Sequence, residues 1–181
     1  MPGDLATLID DVIDREGGFV DDPADPGGAT CWGVTRAVAR ANGYAGDMRA
    51  YPRAAAVDVY RRLYWLAPGF DRVATRAPHL AADLFDTAVN MGAAVATGFL
   101  QRALNALNRG GRDYPDRPVD GKITPRTLAA LDAFLAHRAP GGEAVLVKAI
   151  EALQGERYLT LAEHRPADEA FLYGWLANRI G

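Results

Sequence analysis

Serine is absent from this chain of 181 residues, and cysteine occurs once, as Cys31. Without serine, and with no histidine placed to partner Cys31, a nucleophilic triad has no members to draw on. A lone cysteine also excludes an intramolecular disulfide and a thiolate metal site. The plain reading of Cys31 is a small buried apolar side chain beside Trp32. Histidine is scarce too: His79, His137 and His164 fall in separate predicted elements, with no spacing that would converge them on one ion. The glycine pairs lack the lysine and the strand context of a phosphate loop. No metal and no cofactor is therefore expected.

Charge of one sign is missing as well. The chain has 20 basic and 23 acidic side chains, a formal charge of −3, which offers nothing to nucleic acid or to an anionic membrane surface. No stretch reaches the roughly 20 apolar residues of a membrane span, so no stable membrane insertion is expected. The N-terminus carries Asp4, Asp10 and Asp11 where a signal peptide would have a basic region and an apolar run. What is present, 49% hydrophobic and 24% charged residues, is the composition of an ordinary soluble globular protein. Its length suits one domain, or one with a small C-terminal appendage.

Helical periodicity dominates. Leu5, Leu8, Ile9, Val12 and Ile13 recur at helical spacing over residues 5–15, with acids opposite, and Gly17-Gly18 stops that helix just after Glu16. Residues 19–34 hold two prolines and three acids in Asp-Pro and Gly-Gly turns, which suits a short irregular β-hairpin made from Phe19-Val20 and Cys31-Trp32-Gly33-Val34. Thr35 can cap a helix that runs to Asn42-Gly43. Pro52 suits the first position of a helix over residues 52–65, and Pro78 opens another that ends at Asn90-Met91-Gly92. Further helices are predicted over residues 94–107, 125–137, 143–163 and 169–180, the last with Trp175 as core. Residues 108–121 are polar and rich in glycine, proline and aspartate, a loop long enough to be functional or mobile. The expectation is a mainly α fold of about eight helices with one small β-hairpin.

With metals and nucleophiles set aside, carboxylates remain, and residues 16–35 concentrate them. Cleaving a glycosidic bond needs one acid to protonate the leaving oxygen and a second carboxylate, or a water it holds, to meet the oxocarbenium-like centre. Glu16 suits the first role, because a helix end followed by two glycines fixes its backbone and leaves its side chain clear of bulk. Asp25, beside Pro26-Gly27-Gly28, can face it across a turn, and the Thr30 hydroxyl can hold a water. The same acids can equally cap backbone amides in their turns. Tyr60, Tyr64 and Trp65, at helical spacing, read either as core or as a sugar platform. The Asn90 amide, between Val89 and Met91 before a helix break, needs hydrogen-bond partners, and a sugar N-acetyl group would serve.

The run Glu16-Gly17-Gly18-Phe19-Val20-x-Asp22-Pro23-x-Asp25-Pro26-Gly27-Gly28-x-Thr30-x-x-Gly33-Val34-Thr35 resembles the signature of the N-acetylmuramidases of glycoside hydrolase family 108, found in phages and bacteria. Some bacterial members carry the label secretion activator protein. Tyr60-Arg61-x-x-Tyr64-Trp65 resembles the aromatic motif that follows in that family. Asp86-x-x-Val89-Asn90-Met91-Gly92, Leu100-Gln101-Arg102-Ala103-Leu104-Asn105, Val119-Asp120-Gly121-x-Ile123 and Phe171-Leu172-x-Gly174-Trp175-Leu176-x-x-Arg179 are similar to the predicted peptidoglycan-binding region of the third type. Two positions depart from the pattern. Asp22 stands where asparagine is frequent, so Asp22 and Asp25 are both candidates for the second carboxylate, and Thr124 stands where glycine is usual after Ile123.

The resemblance implies a lysozyme-like helical fold with a catalytic half over residues 1–85 and a peptidoglycan-binding region over residues 86–181. It implies hydrolysis of the β-1,4 bond between N-acetylmuramic acid and N-acetylglucosamine, with Glu16 as the essential acid. The order Glu, Asp, Thr is similar to the catalytic set of phage lysozymes, which points to Asp25 and Thr30, and their Asn-x-Gly resembles Asn90-Met91-Gly92. Peptidoglycan glycan strands are the expected partner of a monomer that stays cytoplasmic until released, in the manner of an endolysin. A lytic transglycosylase, working with one glutamate, and a non-catalytic peptidoglycan-binding module are the alternatives.

Overall fold

Asp4 opens the first helix by accepting a hydrogen bond from the Thr7 amide at 2.9 Å, a side-chain N-cap. In this computed structural model residues 4–21 and 28–180 are described, and the chain divides into two compact units, residues 1–67 and 68–181.

In the first unit, helix α1 (Leu5–Glu16) buries Ile9, Val12 and Ile13, the stripe that its periodicity predicts. Each such side chain contributes about 1.5–3 kcal/mol on burial. The helix ends where Gly17 takes φ 78°, with its N–H donating to the Ile13 carbonyl at 3.0 Å. The hairpin differs from expectation. Its strands are β1 (Thr30–Cys31) and β2 (Val34–Thr35), paired antiparallel with Thr30 opposite Thr35, and Val20 adds only an isolated bridge to Thr30. Trp32 and Gly33, read above as strand, form the turn. Thr35 then caps α2 (Arg36–Ala41) through the Val38 amide at 3.2 Å. A 3-10 turn, Met48–Ala50, follows, and α3 (Arg53–Tyr60) begins one residue later than expected, with Pro52 as its N-cap. The helix predicted to continue to residue 65 changes winding after Tyr60 and runs as a π-helix over Arg61–Leu66, where the Ala67 amide reaches back to the Arg62 carbonyl at 2.9 Å.

All regular secondary structure of the second unit is helical among the described residues. A short α4 (Phe70–Ala74), which the sequence reading missed, begins after Gly69 at φ 88°. Pro78 is the first residue of α5 (Pro78–Met91), and Glu143 accepts from the His79 and Leu80 amides at 2.7 and 3.1 Å, capping that helix from across the chain. Gly92 turns the chain into α6 (Ala93–Leu107). Thr124, the departure from the glycine pattern, turns out to be the N-cap of α7 (Pro125–His137), where it forms a capping box with Thr127. The long α8 (Gly142–His164) packs against α5, α6 and α7 with Leu146, Ile150, Gln154, Tyr158 and Ala162 in one buried stripe. Leu80, Leu84, Leu100, Leu104, Leu131 and Phe134 complete that core. The last helix, α9 (Glu169–Arg179), buries no residue fully. Its Trp175, expected in the core, is half-buried and stacks on the Tyr158 ring at 5.2 Å. No described helix is long and apolar enough to cross a membrane.

Candidate active site

Two acids on the polar face of α1 tie it to α3. The Arg53 guanidinium spans Asp10 at 2.6 Å and Asp14 at 3.1 Å, and these contacts in turn raise the arginine pKa. Such solvent-exposed pairs add little to stability, so their use here is to set the direction of α1. That direction matters because Glu16 is the last residue of the helix, and its side chain is half-buried.

The β-turn meets Glu16 from the other side. Trp32 at φ 55° and Gly33 at φ 71° both take the left-handed conformation, as a two-residue hairpin turn of mirror type requires. For tryptophan that backbone costs about 1–2 kcal/mol. Two long-range hydrogen bonds hold it there: the Trp32 indole N–H donates to the Tyr51 carbonyl at 3.1 Å, and the Tyr60 hydroxyl donates to the Trp32 carbonyl at 3.2 Å. At Gly33 there is no room for a side chain. A Cβ there would stand 2.2 Å from the Tyr60 hydroxyl oxygen and 3.0 Å from both Cβ and Cγ of Glu16. The turn, the stem of Glu16 and the Tyr60 hydroxyl therefore meet at one glycine.

Thr30 sits half-buried in β1, with its backbone paired to Val20 through hydrogen bonds of 2.8 and 2.9 Å. It belongs to the same hairpin as the turn that touches Glu16. Phe19, between the two, lies under the Arg49 guanidinium at 4.9 Å from the ring centre, a cation–π contact that fixes the chain just after the acid. Asp25 and Asp22, the two candidates for the second carboxylate, lie outside the described residues.

The aromatic set divides. Tyr60 is 3% exposed and spends its hydroxyl on the turn, and Trp65 is 7% exposed. Tyr64, half-buried on the π-helix, has its ring 5.6 Å from that of Tyr60 at a tilt of 36°. Asn90 belongs to the second unit, half-buried in the last turn of α5, and its amide nitrogen donates to the Asp86 carbonyl at 2.9 Å and to the Asp86 carboxylate at 3.2 Å. Cys31 is buried, and burial pushes its thiol pKa up, away from thiolate chemistry. Among the described residues no three histidine, cysteine or acidic side chains cluster as a metal site would need.

Sequence reasoning passed over Gly33 and the backbone of Trp32, which shape the space beside the acid. The available signal was a glycine at the second central position of a two-residue loop. Its pairing with Tyr60, by contrast, is a tertiary contact that no local pattern carries.

Residues 9–92 match the family model described as glycosyl hydrolase 108, and residues 95–180 match the one described as a predicted peptidoglycan domain. No curated protein matches the chain. Among solved structures, that of SagA from Brucella abortus is similar, with a TM-score of 0.60 and 26% identity, covering 95% of this chain and 97% of SagA.

Proposed function

Since residues 9–92 belong to the glycosyl hydrolase 108 family and residues 95–180 to the predicted peptidoglycan domain, so that the chain is a peptidoglycan hydrolase, we propose that it is an N-acetylmuramidase with Glu16 as its general acid. The observation that carries this is the setting of Glu16. A carboxyl at a helix end, half-buried, has its stem against Gly33 beside a tyrosine hydroxyl, which holds the acid in one place.

The division of labour follows from the chemistry of glycosides. Glu16 gives its proton to the oxygen linking N-acetylmuramic acid to N-acetylglucosamine, and the bond from the anomeric carbon to that oxygen breaks as positive charge builds on the muramic ring. Asp25, or Asp22 in its place, stabilises that charge or takes a proton from the attacking water. The Thr30 hydroxyl hydrogen-bonds the water, whose oxygen ends on the anomeric carbon. Tyr64 offers a ring for a sugar face.

Glu16→Gln keeps the shape of the side chain and removes its proton. Hydrolysis should fall by about 10² to 10⁴ while thermal unfolding stays unchanged. The assay is release of reducing ends from purified peptidoglycan, with mass spectrometry of the soluble fragments. More than about a tenth of the wild-type rate in the variant would remove Glu16 from the acid role. Fragments ending in 1,6-anhydromuramic acid, lighter by one water, would replace hydrolysis by transglycosylation.

A further inference from the structure

Residues 108–124 contain no regular secondary structure, yet they are held like a strand. Three amide side chains of α6 and its end, Gln101, Asn105 and Asn108, share one face at intervals of four and three residues and take hold of the loop backbone in turn. Asn105 accepts from the Arg117 N–H and donates to the Arg117 carbonyl, both at 2.8 Å. Gln101 accepts from the Gly121 N–H at 2.9 Å and donates to the Lys122 carbonyl at 3.1 Å and the Asp120 carboxylate at 2.8 Å. Asn108 accepts from the Gly111 N–H at 2.9 Å and donates to Asp116 at 2.5 Å. Gln101 and Asn108 are each 1% exposed. Buried amides left without partners would cost about 1–3 kcal/mol each, so the loop and these side chains require one another.

This clamp presents Arg117. Both of its backbone groups are consumed by Asn105, its Nε–H donates to the Pro115 carbonyl at 3.0 Å, and the residue lines two neighbouring cavities of about 380 and 210 Å³. Arg126, on the first turn of α7, lines both cavities as well. Neither guanidinium meets a carboxylate among the described residues. Asp120, the acid on the wall of the larger cavity, is engaged by Gln101 and by the Lys122 N–H, which hold its pKa below the usual carboxylate range. Two arginines beside one cavity, with no carboxylate on either and only the Nε–H of Arg117 committed, suit a planar carboxylate and suit neutral sugar hydroxyls much less.

We infer that Arg117 and Arg126 form a receptor for the carboxylates of the peptide stem of peptidoglycan, so that the second unit grips the stem and not the glycan. This rests on peptidoglycan being the polymer the chain acts on, and on no assignment within the first unit.

The test uses the full chain carrying Glu16→Gln, so that the polymer survives the measurement. Sedimentation with purified sacculi is compared with sedimentation after an amidase has removed the stems from the same material and the lactyl carboxylates left on the glycan have been capped as amides. The expected result is binding about tenfold tighter with stems than without, the scale of one or two charge-assisted hydrogen bonds. Arg117→Gln with Arg126→Gln should abolish that difference, and Arg126→Lys should keep part of it. The Asn105 clamp uses only the backbone of Arg117, so the loop should survive the substitution. Should the double variant fail to fold, Arg126→Gln alone, on an exposed side chain, reports the same loss in smaller measure. Equal binding to both materials by the parent chain, or a stem preference that persists in a folded variant, overturns the proposal. Failure of the Glu16 assignment would appear separately, in the hydrolysis rate.

Discussion

Gly33 is the position where a single methyl group tests the site most directly. In Gly33→Ala the new Cβ would lie 2.2 Å from the Tyr60 hydroxyl oxygen and 3.0 Å from the Glu16 stem, at a backbone φ of 71°. The left-handed backbone costs an alanine about 1–2 kcal/mol, and overpacking adds about 1–3 kcal/mol. The sum is about 2–5 kcal/mol of lost stability, with hydrolysis down by on the order of 100-fold because the acid is displaced. Tyr60→Phe alone should cost about 1–2 kcal/mol, from the hydrogen bond lost at the Trp32 carbonyl. The double variant discriminates. With the hydroxyl gone, the 2.2 Å clash is removed and only the 3.0 Å contacts to the Glu16 stem remain, so Gly33→Ala should cost about 1–2 kcal/mol less in the Tyr60→Phe background than in the wild type. Urea unfolding of all four proteins, followed by tryptophan fluorescence, gives the coupling. Additivity within about 0.5 kcal/mol would mean that the hydroxyl and the glycine do not share that space, and the described geometry beside Glu16 would be refuted.

Asp83 on α5 should make stability depend on pH. Burial pushes its carboxyl up to about 7, with Glu151 and Asp86 adding to the effect, against 3.8 in the absence of these influences. The folded state then holds a proton that the unfolded chain releases, so stability falls as pH rises from about 4 to about 7 and is level above that. Asp83→Asn should remove the slope and raise stability at pH 8 by no more than about 4 kcal/mol, at roughly 1.4 kcal/mol per pH unit. Parallel Tm-against-pH curves for the two proteins would contradict this. Asn105→Ala should destabilise the second unit by about 2–3 kcal/mol and expose the Arg117 amide to hydrogen exchange. Unchanged protection at that amide would mean the clamp does not hold the loop.

Helices were legible where one face is buried and the other is not. The Ile9, Val12 and Ile13 stripe of α1 and the prolines that open α5 and α7 place those elements within a residue or so, because periodicity and capping are local. α4 escaped because Phe70–Ala74 is too short to show a period. The change to π winding after Tyr60 escaped because a widened turn alters hydrogen-bond partners without leaving a compositional mark. Strand placement failed at Trp32 for a different reason. A tryptophan with φ 55° is paid for by Tyr51 and Tyr60, which lie 19 and 28 residues away along the chain. The acid itself was readable, since Glu16 needs only a helix end and two glycines to be conspicuous. The surface it works against, built from Gly33 and Tyr60, required the fold.

The second unit reverses the usual inference from a motif to a role. Gln101 and Asn105, within the segment that matches a predicted peptidoglycan domain, are amide side chains on a largely apolar helix, which invites a ligand-binding reading. Their hydrogen bonds go instead to the backbone at Arg117, Gly121 and Lys122, and Gln101, though it lines the larger cavity, is 1% exposed with its amide engaged by those groups. A side chain that satisfies buried backbone groups cannot also recognise a polymer without leaving those groups unpaired, at about 1–3 kcal/mol for each. Recognition must then fall to side chains that the clamp holds up and does not consume. Arg117 is such a residue: its backbone is bound by Asn105, and it lines both cavities. Motif residues of this kind encode where a loop is held, and the chemistry of binding is carried by the less conspicuous positions between them.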